Sequence, residues 1–184
     1  LGEIAPGTAT TIEGVVTGLR NNLFFVQVPE AAHDPELTYT YSGIFVYVQN
    51  GATVTMPTLG DLVEVSGTVQ NYYGNIQLST ITAITVLGSG AIPTPMVVLP
   101  ETVRTGGTLE KAYNGVLVTV EDVTVLDTSL GYGEFLVTGD LRVDDTLFTY
   151  TFPPVGTVYE SLTGIMHYSF DNAKLEPRSL DDMV

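Results

Sequence analysis

Asp140, Asp144 and Asp145, with Glu134 close by in the chain, are the first residues whose types and spacing could do chemistry. Clustered carboxylates supply the oxygen ligands that a hard cation such as Ca2+ takes. The D-x-D-x-D-G loop that marks an EF-hand is missing, so the four stand as candidate Ca2+ ligands without a motif behind them. No other cofactor is indicated. Acid–base catalysis needs convergent groups, and only two histidines exist, one in each half of the chain. His33 precedes Asp34 in an acidic loop and reads as solvated, whereas His167 alternates beside Met166 and reads as a satisfied structural residue. There is no Ser/His/Asp spacing, no phosphate-cradling Gly-rich loop, and no cysteine to act as nucleophile, metal ligand or disulfide half. The expectation is a protein that is not an enzyme.

Tyr39, Tyr41, Tyr47, Tyr72 and Tyr73, with Phe24 and Phe25, offer a second chemistry. Gathered on one side of a barrel, such rings are the materials of a base-stacking face. Nucleic-acid binding also needs cations to replace the counterions along the phosphates. Residues 11–88 hold one Arg, Arg20, and no Lys, in a chain whose 21 acids and six bases leave a net charge of −15. Nucleic acid is therefore disfavoured as a partner unless divalent ions bridge. Tyrosines at alternate strand positions also serve cross-strand packing or contact with another protein.

The elements that must position these residues repeat. Residues 60–81, GDLVEVSGTVQNYYGNIQLSTI, alternate apolar and polar on both sides of a Gly-Asn reversal, the pattern of a β-hairpin. Residues 156–180 carry the same design: setting Gly67 on Gly164 aligns Asn75 with Asn172 and Leu78 with Leu175 without a gap. Ahead of the first hairpin come a bent strand with Gly14 and Gly18, then LFFVQV, then a run from Leu37 to Val48. The second half answers with YNGVLVTVEDVTVLD, in which Gly115 takes the place of Gly14, then GEFLVTG, then a strand over residues 141–152. The fold class expected is all-β, two tandem OB-fold-like five-stranded barrels joined by a Gly/Pro-rich linker. The divisions are an N-terminal arm at 1–10, a first barrel at 11–88, a linker with a short helix at 89–112, and a second barrel at 113–184.

The motifs IEGVVTGL, FFVQ, SGIFVY and GDLVEVSGTVQNYYGNIQLS, with LEKAYNGVLVTVEDVTV and SLTGIMHYSFDNAKLEPRSLDDM, resemble the OB-type regions beside the catalytic module of secreted bacterial nucleases. Those nucleases belong to the endonuclease/exonuclease/phosphatase superfamily. The resemblance implies an extracellular or cell-surface protein and a non-catalytic role. The family's chemistry sits in a separate metal-dependent module, none of whose His, Asp and Asn pattern is matched here, so no catalytic residue carries over.

Only 15% of the residues are charged, against roughly 25% in ordinary soluble domains, and the mean hydropathy is +0.26. A surface this lightly charged is suited to cover by partners. No apolar run approaches the roughly 20 residues of a membrane span. The chain begins at Leu1 rather than Met, as a processed or trimmed chain would. The function expected first is association with protein, as a homo-oligomer or with other surface proteins, in an assembly or fibre. Its assembly arm would hold Leu1, Ile4 and Pro6, and this arm or the linker would add a strand to the next copy. The alternative is an accessory nucleic-acid- or glycan-binding module of a secreted nuclease.

Overall fold

The computed structural model describes residues 4–34 and 36–184. The first half runs β1 (Ala9–Arg20), β2 (Leu23–Gln27), β3 (Gly43–Tyr47), β4 (Asp61–Tyr72) and β5 (Asn75–Ser89). Their order round the sheet is β1-β2-β3-β5-β4, closed by pairing of β1 with β4, and β3 with β5 is the one parallel pair. The second half adds β6 (Met96–Val97), α1 (Pro100–Val103), β7 (Leu117–Asp127), β8 (Phe135–Val137), β9 (Leu141–Val143), β10 (Val158–Ser169) and β11 (Asn172–Glu176). Here β7-β8-β9-β11-β10 repeats the same order, β10 pairs back onto β7, and β9 with β11 is parallel. Both halves are five-stranded barrels of OB-fold topology, and closure leaves neither with a long free edge.

Period-two alternation explains each core. Phe24, Val26, Val46, Val69 and Leu78 point into the first barrel, and Phe135, Val137, Val143, Met166 and Leu175 into the second. The register shows that these are the same places: Val46 faces Leu78 across the parallel pair as Val143 faces Leu175, and Phe24 faces Val46 as Phe135 faces Val143. Each fully buried Phe or Leu contributes about 1.5–3 kcal/mol over leaving it in water.

A third cluster joins the barrels. Phe25 and Phe45, on the outer face of β2 and β3, pack against Leu117, Leu147 and Ile165 of the second barrel. The buried Gln27 side chain accepts from the Leu117 amide at 3.0 Å and donates to Ser42 Oγ at 3.2 Å. Arg20 donates to the carbonyls of Asp145 and Thr146 at 2.7 and 3.2 Å. Gly43 and Gly115 meet backbone to backbone, and a Cβ on Gly43 would fall on the Gly115 carbonyl. Only glycine permits that approach.

Several expectations are corrected. The expected arm is not separate from Gly7 onward: Gly7 donates to Val69 O at 2.7 Å, Val69 donates to Thr8 O at 2.9 Å, and β1 begins at Ala9. Gly115 donates to Met166 O in the same way, so its counterpart is Gly7 rather than Gly14. The linker is not a free spacer, because β6 pairs in parallel with β7 of its own chain. The expected helix is a single turn, α1, in the middle of the 89–112 range. The third strand of each barrel is shorter than the alternation implied, since residues 36–41 form turns and residues 144–152 form a loop over the barrel.

Candidate ligand-binding cleft

The residues that fill the first barrel force their neighbours outward. With Phe24, Val46, Val69 and Leu78 inside, Leu23, Phe45, Tyr47, Gln70 and Gln77 must face out, and the register sets Leu23 beside Tyr47 and Gln70 beside Gln77. The β4–β5 turn adds Tyr72 and Asn75. Across the junction β10 and its turn contribute His167, Ser169 and Phe170. These side chains line a cavity of about 480 Å³ between the two barrels.

Among the described residues no Asp, Glu, Lys or Arg lines this cavity. Its polar groups are amides, hydroxyls and one imidazole, and the amides and the imidazole are held by bonds of their own. Asn75 Nδ2 donates to Gln77 Oε1 at 3.4 Å and Asn75 Oδ1 accepts from Asn114 Nδ2 at 2.9 Å. Gln70 Nε2 donates to Thr80 Oγ1 at 3.3 Å. The far ends of both glutamine amides have no protein partner among the described residues. His167 stacks on Phe45 with centroids 4.7 Å apart and meets Phe25 edge-on at 5.4 Å. Its Nδ1 lies 3.1 Å from Glu176 Oε1, which leaves the Nε2 edge for the cleft. Burial pushes the fully enclosed Glu176 carboxyl above its usual range, partly offset by the bond to His167.

The rim is built from the two hairpin turns. Tyr73 and Gly74 sit at φ +47 and +85°, and Phe170 and Asp171 at +49 and +61°. Positive φ at both central residues is the two-residue turn that matches strand twist, and Asn-Gly is its usual occupant. An aromatic residue there is uncommon and costs about 1–2 kcal/mol. Tyr72 meets Tyr73 edge-on at 4.8 Å, and Tyr73 lies nearly parallel to Phe170 at 6.4 Å. All three rings are more than half exposed.

The five tyrosines expected to share one face are therefore divided. Tyr47, Tyr72 and Tyr73 gather at the cleft. Tyr39 and Tyr41 lie on the turn before β3, where Tyr39 packs edge-on against His33 and Tyr41 donates its amide to Ala112 O at 2.6 Å. His33 is half-buried rather than solvated, its Nε2 2.8 Å from Val28 O. Phe24 and Phe25 are buried in the first core and in the junction. Ile4 and Pro6 are exposed at the chain's start, and Leu1 lies outside the described residues. Gln70, Gln77, His167 and Phe170 were not singled out as ligand-binding residues. Phe170 was reachable, because the hairpin alignment sets it on Tyr73.

The four candidate Ca2+ ligands do not converge. Lys174 Nζ sits 2.6 Å from Glu134 Oε1 and 3.0 Å from Asp144 Oδ2, and Arg142 binds the other Glu134 oxygen at 2.6 Å. An ammonium occupies the place a cation would take. Burial alone would lower the Lys174 pKa, but its bonds to Glu134 and Asp144 outweigh this and hold it above the usual value. Asp145 turns aside, raised by burial and by Asp144, and Asp140 is exposed in the β8–β9 turn. Among the described residues no three His, Asp or Glu side chains are placed to share a metal ion, and no helix is long and apolar enough to cross a membrane.

The fold and cleft define a pair of OB-fold-like barrels with a neutral, aromatic-lined cavity at their junction. No family model matches the chain, and no curated protein does. Among solved structures it is similar to CusF with Ag(I), residues 10–88, from Escherichia coli, at 16% identity over 45% of this chain and 95% of that one, with a TM-score of 0.32. A likeness at that level carries no residue and no ligand across.

Proposed function

We propose that this chain is a non-catalytic binding module whose ligand is a neutral glycan held in the junction cleft. The observation that carries the reading is the lining itself: ring faces beside unpartnered amide ends, with no charged side chain among the described residues. Sugars present C–H faces to aromatic rings and hydroxyls to amides, and OB barrels use this same face, strands two and three with the four–five turn, for oligosaccharides as well as oligonucleotides. Nucleic acid is the weaker candidate. Of the six cations, Arg142, Lys174 and Arg178 are in ion pairs and Arg20 is spent on backbone carbonyls. Little is left to replace counterions in a molecule of net charge −15. The finer reading makes the chain a secreted accessory module, as the resemblance to nuclease-flanking regions implies.

Protein association by β-addition, through the arm at residues 1–10 or the linker, has less support, because parts of both, residues 7–10 and β6, already pair within the chain. Screening the protein on an array of neutral and acidic glycans, with single-stranded DNA as a parallel probe, tests the reading. Expected are neutral hits that Tyr47→Ala and Tyr72→Ala each weaken by about tenfold, which corresponds to about 1.4 kcal/mol. Binding to DNA alone, or hits that both variants leave unchanged, would overturn it.

A further inference from the structure

We infer that the binding site continues out of the cleft onto the two hairpin tips, so that the ligand is a chain of several sugar rings rather than a single residue or a chain end. This rests on the cleft being a glycan site. Three observations carry it further. Tyr73, outside the cavity, bridges two rings that line it, Tyr72 and Phe170, with centroids 4.8 and 6.4 Å away. Tyr73 and Phe170 stand at the same turn position of the two barrels, so the platform draws on both domains and exists only because they are packed together. Asn114 fixes that packing: it donates to Asn75 Oδ1 and accepts from the Tyr168 amide at 2.9 Å, one side chain spanning both hairpins. Gly74, beside Tyr73, sits so near the Tyr168 ring that a Cβ there would collide with it.

Charge favours a neutral chain here too. Lys174 lies 5.9 Å from the Phe170 centroid, and it is neutralised by Glu134 and Asp144. A single sugar in the cavity would leave Tyr73 idle, with most of its surface in water and in a backbone conformation that glycine would occupy at less cost. A longer chain covers it.

The test is calorimetric titration of the intact protein with cello-, malto- and xylo-oligosaccharides from the disaccharide to the hexasaccharide. The variants are Tyr73→Gly, outside the cavity, and Phe170→Gly, in its lining. Glycine removes the ring while relieving the positive φ, so folding is not put at risk. Affinity is expected to rise with chain length, Tyr73→Gly to lose about fivefold for the longest chain while the disaccharide is held as before, and Phe170→Gly to weaken every length. Equal affinity at every length, untouched by Tyr73→Gly, removes the extension and leaves the cleft. Equal loss at every length in Tyr73→Gly places the tip inside a short site and also overturns the inference. Failure of all three series to bind overturns both the inference and the glycan reading beneath it.

Discussion

The outer faces of the two barrels occupy the same topological positions and have met opposite fates. Where the first barrel sets Leu23, Phe45, Tyr47, Gln70 and Gln77, the registers of β2, β3, β4 and β5 align these with Glu134, Arg142, Asp144, His167 and Lys174 in the second. The first face is aromatic and amide-bearing and is left partly open. The second is charged and closed upon itself, with Lys174 and Arg142 spending their donors on Glu134 and Asp144. One topology thus yields a surface able to accept a ligand and a surface that has become part of the interior. What separates them is whether the outward residues can satisfy one another.

The largest expected effect breaks that distinction on the closed side. Lys174→Ala strands two buried carboxylates and should cost about 3–5 kcal/mol, read as a fall in Tm by calorimetry. Gln77→Ala, at the matching place in the first barrel, removes a buried but neutral amide and leaves only the Asn75 Nδ2 donor without its acceptor, so it should cost less, about 1–3 kcal/mol. Equal losses at the two positions would mean that the faces are not so different. Next in size is Gly43→Ala, which drives a methyl into the Gly115 carbonyl and should cost about 1–3 kcal/mol by prising the barrels apart. It should also weaken any ligand of the junction, because His167 and Phe170 reach the cleft only while the barrels stay packed.

The smallest effect sharpens the boundary between the faces, where Glu176 lies behind His167. Its folded pKa is raised, so the folded protein holds this proton more tightly than the unfolded chain. The group's contribution is therefore most favourable below the ordinary glutamate value and is lost as pH rises from there through the raised one. Glu176→Gln removes this dependence. Relative to wild type, the variant should gain stability as pH increases across that window, by an amount on the order of 1 kcal/mol, measured as Tm against pH. A constant difference at all pH values would show that Glu176 ionises normally in the fold.

Much of the architecture was legible because barrels are written in period two. The alignment of Gly67 with Gly164 carried Asn75, Leu78 and their counterparts to matching positions, and the two domains followed. The junction was not legible. Nothing in local spacing tells that Phe25 and Phe45 face another barrel rather than solvent, or that His167 will stack on Phe45, since such contacts depend on how two finished domains dock. The acidic group failed as a metal site for a related reason. Glu134 and Asp144 are close in the chain to Asp140, but strand direction separates them from it, and β11 brings Lys174 between them. The tyrosines divide: Tyr47 and Tyr72 share a face through strand pairing, whereas Tyr39 and Tyr41 lie on a turn that alternation mistook for strand.

The most direct test of the junction cleft is an amide-resolved NMR titration of the wild-type protein with the neutral oligosaccharide mixture. Shifts concentrated at Gln70, Tyr72, Asn75, Gln77, Ser169 and Phe170, with Glu134, Arg142 and Lys174 unmoved, are the expected result. Shifts confined to the second barrel's charged face, or spread over both faces alike, would contradict the assignment of binding to the open face.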